Sequence, residues 1–329
     1  MSDPHPSPSR RSLLAGAGVA AAAGLLAPRT TSAVLAAAPL LGSFRPEIYR
    51  FKLGEFEVTN ILDGVISRGG PHQIFGLDQP AETVAQYATA NHLPADRLEN
   101  PYTVTLVNTG KQLVLFDTGN GEGGRDKGTG RLRTLLLEAG YAPEQVDVVV
   151  ITHGHPDHIG GLTEGGKPAF ERAQLVFGER EFDYWRKGEN ISEQRAATRK
   201  LFVERAVPLA ERARFIKPGD EVVPGIVAVD AYGHSYGMLA FHIESGRDRL
   251  LLWADATNHY VLSLQKPEWQ VSFDDDKEAG IVTRKRILDM VATEKIPAIG
   301  YHMPFPAVGF VDGLAEGYRW VPVSYQLAR

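Results

Sequence analysis

The sequence predicts a single mixed α/β domain over residues 40–329, in which β-sheets pack together and are covered by helices. Three observations support this prediction. Runs of β-branched and aromatic residues occur in groups, stretches with helical periodicity lie between the groups, and no internal repeat or low-complexity linker follows residue 40. The composition agrees, because 43% of the 329 residues are hydrophobic and 23% are charged, as in soluble globular proteins.

Strands are predicted at short apolar runs bounded by turn-forming residues. The run Val146–Ile151 is continuous and mostly β-branched, which is typical of a strand buried on both of its faces. The other predicted strands are Ile48–Leu53, Glu55–Leu62, Tyr102–Asn108, Gln112–Phe116, Leu175–Phe177, Ile226–Asp230, Leu239–Glu244, Leu250–Ala254 and Ile296–Gly300.

Helices are predicted at Leu132–Ala139, over most of Arg180–Arg205 with a break at Gly188, and at Ile281–Thr293. The long segment Arg68–Pro101 is interrupted by Pro and Gly. We therefore expect it to form a mobile flap with a short helix near Thr83–Asn91.

The first 39 residues are predicted to be a signal peptide. Arg10-Arg11 precedes an uncharged Ala/Gly-rich run from Ser12 to Pro28, and this pattern resembles a twin-arginine export signal. The alternative, a membrane anchor, is disfavoured because a spanning helix needs about 20 strongly apolar residues. We expect a periplasmic or secreted protein without a stable membrane anchor.

Composition excludes several kinds of site. With no cysteine, the chain cannot form a disulfide framework or a thiolate metal site, so a metal site must use His, Asp or Glu. The formal net charge of -5 gives no electrostatic reason to expect nucleic-acid binding. A small-molecule substrate is the expected partner.

The densest cluster of chemical groups is the segment Thr152-His153-Gly154-His155-Pro156-Asp157-His158. It begins where the buried strand Val146–Ile151 ends, so three imidazoles and one carboxylate crowd the mouth of that strand. Such a donor set suits zinc, with manganese, iron or cobalt as alternatives. A polar loop with incidental histidines is the alternative, and the crowding of unpaired polar groups disfavours it.

This His-x-His-x-Asp-His motif resembles that of the metallo-β-lactamase superfamily. Further residues match in order after later strands: His234, Asp255 and His302, with Asp117 after an earlier strand. The resemblance implies an αββα sandwich, with two mixed β-sheets packed face to face and helices outside. It also implies two divalent metal ions, most simply zinc.

Residue by residue, the resemblance implies a role for each matching position. His153, His155 and His234 hold the first ion, and Asp157, His158 and His302 hold the second. Asp255 bridges the two ions, and Asp117 tethers a ligand imidazole. A hydroxide between the ions is the implied nucleophile, and Asp157 and Asp255 are the implied catalytic carboxylates.

Within the superfamily, three stretches resemble the branch that contains methyl parathion hydrolase and related lactonases: Tyr49–Thr59, His302–Pro306 and Gly317–Val323. The resemblance implies hydrolysis of a lactone, an aryl ester or a phosphotriester, and homodimers are common in the branch. A quorum-quenching lactonase acting on acyl-homoserine lactones is one alternative. A periplasmic metal-binding module without catalysis is an alternative of another class.

The branch also suggests candidates for the substrate pocket. Trp185 and Phe202 fall where it places aromatic residues against the substrate, and Phe75 in the predicted flap is a further candidate. All three could instead be core aromatics. His72 and His259 are candidates for the border of the site.

Overall fold

The computed structural model describes residues 39–189 and 191–324. The chain divides into two compact units, Met1–Phe44 and Arg45–Arg329. The predicted signal peptide belongs to the first unit, and all of it except residue 39 lies outside the described residues. The elements below belong to the second unit.

The first sheet has seven strands in the order β1-β2-β3-β4-β5-β8-β9. Strands β1 to β4 pair antiparallel, and β4, β5, β8 and β9 run parallel to one another. Their bounds are β1 Ile48–Leu53, β2 Phe56–Gly69, β3 Arg97–Asn108, β4 Leu113–Phe116, β5 Val148–Ile151, β8 Gln174–Gly178 and β9 Ala213–Ile216. A separate short hairpin consists of β6 Thr163–Glu164 and β7 Lys167–Pro168.

The second sheet also has seven strands, in sequence order from β10 to β16. All neighbours pair antiparallel except β13 and β14, which are parallel. Their bounds are β10 Glu221–Val223, β11 Ile226–Asp230, β12 Leu239–Ser245, β13 Asp248–Leu252, β14 Ala298–Ile299, β15 Val308–Gly313 and β16 Tyr318–Pro322.

The two sheets pack face to face, which confirms the predicted sandwich. One hydrophobic cluster contains Val114 and Phe116 from the first sheet together with Phe241 and Leu252 from the second. The rings of Phe116 and Phe241 lie 5.1 Å apart at their centroids. Strand β5 is buried on both faces as predicted, because Val148 and Val150 join this inner cluster while its other two residues face outward into a second cluster.

Helices cover the outer faces. The α-helices are α1 Ala81–Ala90, α2 Leu132–Glu138, α3 Pro156–Ile159, α4 Glu179–Lys187, α5 Ala196–Arg205 and α6 Lys277–Glu294. Short 3₁₀ helices lie at Pro71–Gln73, Glu122–Lys127, Pro143–Gln145, Gly160–Leu162, Glu193–Arg195 and Val207–Arg212. The predicted break at Gly188 is confirmed, because this glycine ends α4. Its φ of 72° is a left-handed conformation that residues with a β-carbon rarely adopt. Among the described residues, no helix is long and apolar enough to span a membrane.

The predicted flap is wrong in extent and in character. Strands β2 and β3 continue well beyond their predicted ends. The register shifts by one residue at a bulge between Leu62 and Gly64, and pairing then continues to Gly69 and Arg97. The remaining loop carries the predicted helix as α1 and is docked on the domain. Phe75 and Val84 pack with Trp269 and other apolar side chains in a third hydrophobic cluster.

Candidate metal centre

All seven predicted ligand side chains converge at one edge of the sandwich, in two adjoining groups. The histidine trio consists of His153, His155 and His234, and the mixed group consists of Asp157, His158, Asp255 and His302. Within each group, one potential ligand atom per residue lies within 4.8 Å of every other. The side chains come from the segments that follow β5, β11, β13 and β14, with Asp157 and His158 on the short helix α3, so both sheets contribute.

The histidine trio is arranged around one point. His155 Nδ1 lies 3.1 Å from His153 Nε2 and 3.0 Å from His234 Nε2. The other ring nitrogen of His234, Nδ1, lies 3.0 Å from a carboxylate oxygen of Asp274 and so carries the proton. The Nε2 lone pair of His234 is thereby left to point at its neighbours, an arrangement that a shared cation stabilises.

The mixed group places carboxylates directly among imidazoles. His302 Nε2 lies 2.9 Å from Asp255 Oδ2, and His158 Nε2 lies 3.4 Å from Asp255 Oδ1 and from Asp157 Oδ2. The Nδ1 atoms of these two histidines face outward. His302 Nδ1 donates to the carbonyl oxygen of Pro101 at 2.7 Å.

Asp255 joins the two groups. Besides its contacts in the mixed group, its Oδ2 lies 3.3 Å from His234 Nε2 in the trio. The preceding residue, Ala254, has φ 50°, a left-handed conformation that costs a residue with a β-carbon about 1–2 kcal/mol. Such local strain is typical of functional sites, and here it aims the Asp255 carboxylate between the groups.

Asp117 holds the mixed group from outside. It directly follows strand β4 and is buried, and its Oδ2 lies 2.8 Å from His158 Nδ1. The same carboxylate accepts from the backbone N–H and the hydroxyl of Thr152, each at 2.8 Å. These bonds fix the His158 ring with Nε2 facing inward.

Burial and neighbouring charges shift the pKa values of His155 in the trio and His158 in the mixed group in opposite directions. Burial lowers the pKa of His155 to about 4, and the charge of Arg195 acts in the same direction. Burial alone would also lower the pKa of His158, but the carboxylates of Asp117, Asp157 and Asp255 raise it well above its usual value. The mixed group therefore attracts positive charge strongly, whereas in the trio burial disfavours the charged form of His155.

The residues fit a pair of divalent cations. His158 Nε2 and Asp255 Oδ1 are buried without a hydrogen-bond partner, although an unpaired buried polar atom costs about 1–3 kcal/mol. Both atoms belong to the mixed group and are aimed at the point where that group converges. Imidazole and carboxylate donors together suit zinc, manganese, iron or cobalt, and the donor set does not choose among these metals.

The acidic run Asp274-Asp275-Asp276 is not the solvated loop that its composition indicates. Asp274 is buried between His234 Nδ1 and Arg284, whose guanidinium lies 2.6 Å from it. Asp275 faces His155 Nε2 at 3.5 Å and pairs with Arg195 at 2.5 Å. Asp276 caps helix α6 by accepting from the backbone N–H of Ala279. Each carboxylate thus has its own structural partner.

The ligand groups open into a cavity of about 460 Å³. Five ligand residues reach its surface: His155, Asp157, His234, Asp255 and His302. The rest of the wall is mixed. It includes the apolar side chains Ile66, Leu201 and Phe273, the cationic side chains Arg68, Lys127, Arg195 and Arg205, and the polar residues Asn100, Tyr102, Asn120, Thr129 and Thr198.

The three aromatic pocket candidates do not line this cavity. Trp185 and Phe202 are fully buried, stack with each other in the outer core of the first sheet, and do not line the cavity. Trp185 meets the site only indirectly, with its ring edge-on to His155 at 5.9 Å. Phe75 is buried in the third hydrophobic cluster, beneath the docked loop. The large aromatic side chains on α4 and α5 are therefore buried by packing in the core and do not face the cavity.

The two additional histidines also lie away from this cavity. His72 Nε2 is hydrogen-bonded to the carbonyl oxygen of Gln79 within the docked loop. His259 accepts from the backbone N–H groups of Val261 and Leu262. It borders a different cavity of about 310 Å³, which touches the site only through His302.

Sequence patterns missed several residues at the site. Arg195 and Phe273 border the cavity, and their positions depend on how α5 and the loop before α6 pack. No local motif marks either residue. The acidic run before α6 was a visible signal, but its spacing resembles an ordinary helix N-terminus, where acidic residues are common.

Comparisons with known proteins agree with this geometry. The sequence model of the Metallo-beta-lactamase superfamily matches residues 98–267. An N-acyl homoserine lactonase of Bacillus cereus is 27% identical over 50% of this chain, and the match spans only 59% of that enzyme. An N-acyl homoserine lactonase of Bacillus thuringiensis is 25% identical over 61% of this chain and 81% of its own.

Solved structures share the fold over most of the chain. A dizinc quorum-quenching lactonase, AidC, solved in complex with a product, superposes with a TM-score of 0.77 at 27% identity. That match covers 84% of this chain and 98% of AidC. The hydrolase AbOPH of the beta lactamase superfamily gives a TM-score of 0.78 at 23% identity, covering 86% of this chain and 99% of its own, which shows the fold alone.

Proposed function

The chain belongs to the metallo-beta-lactamase superfamily, and from that premise we propose that it is a dinuclear metal-dependent hydrolase that opens lactones. The observation that carries the proposal is the pair of adjoining ligand groups, joined by Asp255, at the floor of the 460 Å³ cavity. The cavity lies within the range of about 300–1,000 Å³ that is usual for small-molecule sites.

The histidine trio would hold one cation, the mixed group the other, and Asp255 would contact both. When bound, such a pair supplies Lewis acidity, which lowers the pKa of a water molecule and polarises an ester carbonyl. Zinc is the first candidate because of the donor set, and manganese, iron and cobalt remain alternatives.

Asp157 is the ligand carboxylate with the greatest access to the cavity, with 19% of its side chain exposed. Its backbone carbonyl accepts from the Tyr301 hydroxyl at 2.6 Å, which fixes the start of α3. Asp157 is therefore placed to orient a water molecule and to hold the proton that the water releases. Asp255 is less open and serves chiefly to set the distance between the two groups.

A lactone with an apolar substituent is the substrate class that the relatives and the cavity favour together. The AidC and Bacillus relatives are lactonases by name. In this chain, Leu201 and Phe273 supply apolar wall beside the ligand carboxylates. Aryl esters and methyl phosphotriesters present a similar neutral, partly apolar shape, so they belong in the same test.

The test is a turnover panel on the zinc-loaded protein, with Asp255→Ala as the blank. An acyl-homoserine lactone, an aryl lactone, an aryl ester and a methyl phosphotriester are compared by kcat/KM, because that ratio reports transition-state discrimination. We expect a lactone to rank first. A phosphotriester in first place would assign the chain to phosphotriester hydrolysis, and no turnover with two ions bound would favour a non-catalytic metal-binding module.

We also propose that the protein is exported to the periplasm or beyond, on the twin-arginine pattern at Arg10-Arg11. Cell fractionation of the native chain and of an Arg10→Lys, Arg11→Lys variant tests this, and retention of the variant alone in the cytoplasm is expected. A homodimer is a further proposal, which light scattering at several protein concentrations tests.

A further inference from the structure

A buried carboxylate outside both ligand groups connects the loops that carry the histidine trio. Glu181 lies in the first turn of α4, and its side chain is 1% exposed. It accepts four hydrogen bonds. Three donors reach Oε1: the backbone N–H of Gly154 at 2.7 Å, the Trp185 indole at 2.6 Å and the Ser235 hydroxyl at 2.6 Å. The fourth, from the backbone N–H of Gly237 at 2.8 Å, reaches Oε2.

Three of the four donors belong to the two loops that carry the trio, and the fourth, Trp185, lies on α4 itself. Gly154 lies between His153 and His155, in the loop after β5 of the first sheet. Ser235 and Gly237 follow His234, in the loop between β11 and β12 of the second sheet. One side chain therefore joins the ligand loops of both sheets.

Both loops approach α4 as closely as a backbone can. A β-carbon at Gly154 would lie 2.5 Å from the indole of Trp185, and one at Gly237 would lie 2.2 Å from the backbone nitrogen of Glu181. Glycine is required at both positions because any other residue would push its loop away from the helix. The close approach is what lets a single carboxylate reach donors on both sides.

We propose that Glu181 is a positioning residue that sets the distance between His155 and His234 and thereby the affinity of the trio for its cation. An ionised carboxylate is costly to bury, and four donors, two of them backbone N–H groups of the ligand loops, offset that cost. Glu181 belongs to neither ligand group and does not line the cavity, so it acts through the loops alone.

Glu181→Gln separates this role from the carboxylate's contribution to folding. If the amide oxygen takes the place of Oε1, the amide NH₂ faces the N–H of Gly237, so the link to the second loop is lost first. Asp63→Asn is the matched control. Asp63 is also a fully buried carboxylate, and it accepts from the backbone N–H groups of Asn120, Gly130 and Leu132, none of which carries a ligand.

The measurement is the stepwise binding of cobalt(II) by the full chain, followed by its visible absorption spectrum and by competition with a chelator. We expect Glu181→Gln to weaken one of the two binding steps by about 10–100-fold, the usual cost of losing an outer partner of a ligand, and to change the spectrum of that step. Asp63→Asn should lower the unfolding midpoint and leave both steps within about twofold.

Ser235→Ala provides a milder second variant in case Glu181→Gln does not fold. It removes one of the four bonds, and it should shift the same binding step in the same direction by a smaller factor. Equal cobalt binding and equal spectra in the native protein, Glu181→Gln and Ser235→Ala would overturn the proposal.

The inference rests on the proposed function only in requiring a cation at the trio. If Glu181→Gln lost turnover but bound cobalt like the native protein, that result would count against Glu181 as a positioning residue of the trio. A native protein that binds no cobalt at all would overturn both the inference and the proposed function. A native protein that binds two cobalt ions without hydrolysing any ester would overturn the proposed function and leave the inference standing.

Discussion

The histidine trio and the mixed group place their negative charge at different depths. In the mixed group, the carboxylates of Asp157 and Asp255 lie among the ligand imidazoles themselves. In the trio, the carboxylates stand one layer out, where Asp274 meets His234 and Asp275 meets His155. A ligand set made only of imidazoles can therefore depend on outer carboxylates that a motif search does not detect.

The outer acids of the trio are themselves paired with arginines. Arg284 is fully buried against Asp274, and Arg195 lies against Asp275. The trio therefore receives less net negative charge than its two neighbouring aspartates suggest. We expect the mixed group to bind its cation more tightly, and each substitution below tests one layer of this arrangement.

The largest effect is expected from Asp255→Ala, because this carboxylate contacts His302, His158 and His234 and so belongs to both groups. The loss of kcat/KM should exceed the roughly 10–100-fold that removal of an outer partner costs, and the content of bound metal should fall. Metal analysis and turnover on the same sample check both. Near-native turnover with two ions retained would contradict the joining role.

Asp274→Asn should come next. The 3.0 Å contact to His234 Nδ1 fixes that ring, so its loss should weaken the trio's affinity for metal by about 10–100-fold. Asp117→Asn is the matched substitution at the mixed group, where it removes the contact to His158. Stepwise chelator competition should show the two variants weakening different binding steps, whereas the same step in both would contradict the division into two groups.

Asp275→Asn should weaken metal binding at the trio, the step that Asp274→Asn also affects, but by a smaller factor. Its distance to His155 Nε2 is 3.5 Å, beyond the usual 2.7–3.2 Å of a strong N–H···O bond. We expect a loss of trio affinity below that of Asp274→Asn in the same chelator competition. A larger loss would show that His155, rather than His234, limits binding at the trio.

Asp276→Ala should have the smallest effect and should leave both metal steps unchanged. Asp276 accepts from the backbone N–H of Ala279 and caps α6, so its removal should cost about 1 kcal/mol of unfolding free energy. Urea unfolding measures that cost, and metal titration of the same variant supplies the contrast. Weakened metal binding here would mean that the start of α6 positions its two preceding acids.

Much of the fold could be predicted from the sequence, because local signals and core packing agree there. Ile48–Leu53 and Ile226–Asp230 form strands at the predicted bounds, and Gly188 ends a helix as expected. The late strands β15 and β16 were missed. Gly, Asp and Arg interrupt their apolar residues, so the local sequence gives little signal for a strand. They are strands because β15 pairs with both β14 and β16.

The candidate site divides along the same line. The ligand residues were predictable because, without cysteine, metal chemistry limits them to His, Asp or Glu, and the His and Asp residues at the strand ends have a spacing that resembles a known motif. The sequence could not decide the place of Trp185 and Phe202, because an aromatic residue on a helix can either pack in the core or line a pocket. The structure places both in the core. Glu181 and Asp274 could not be found locally. Apart from Trp185, the partners of Glu181 lie 27 to 56 residues away, and those of the Asp274 carboxylate lie 10 to 40 residues away.

We infer that the two adjoining groups hold two cations and that both cations are needed for turnover. The most direct test adds zinc stepwise to the metal-free native protein while bound zinc per chain and lactone turnover are measured together. We expect binding to saturate at two ions per chain, with most of the turnover appearing as the second ion binds. Saturation at one ion with full turnover would contradict the account.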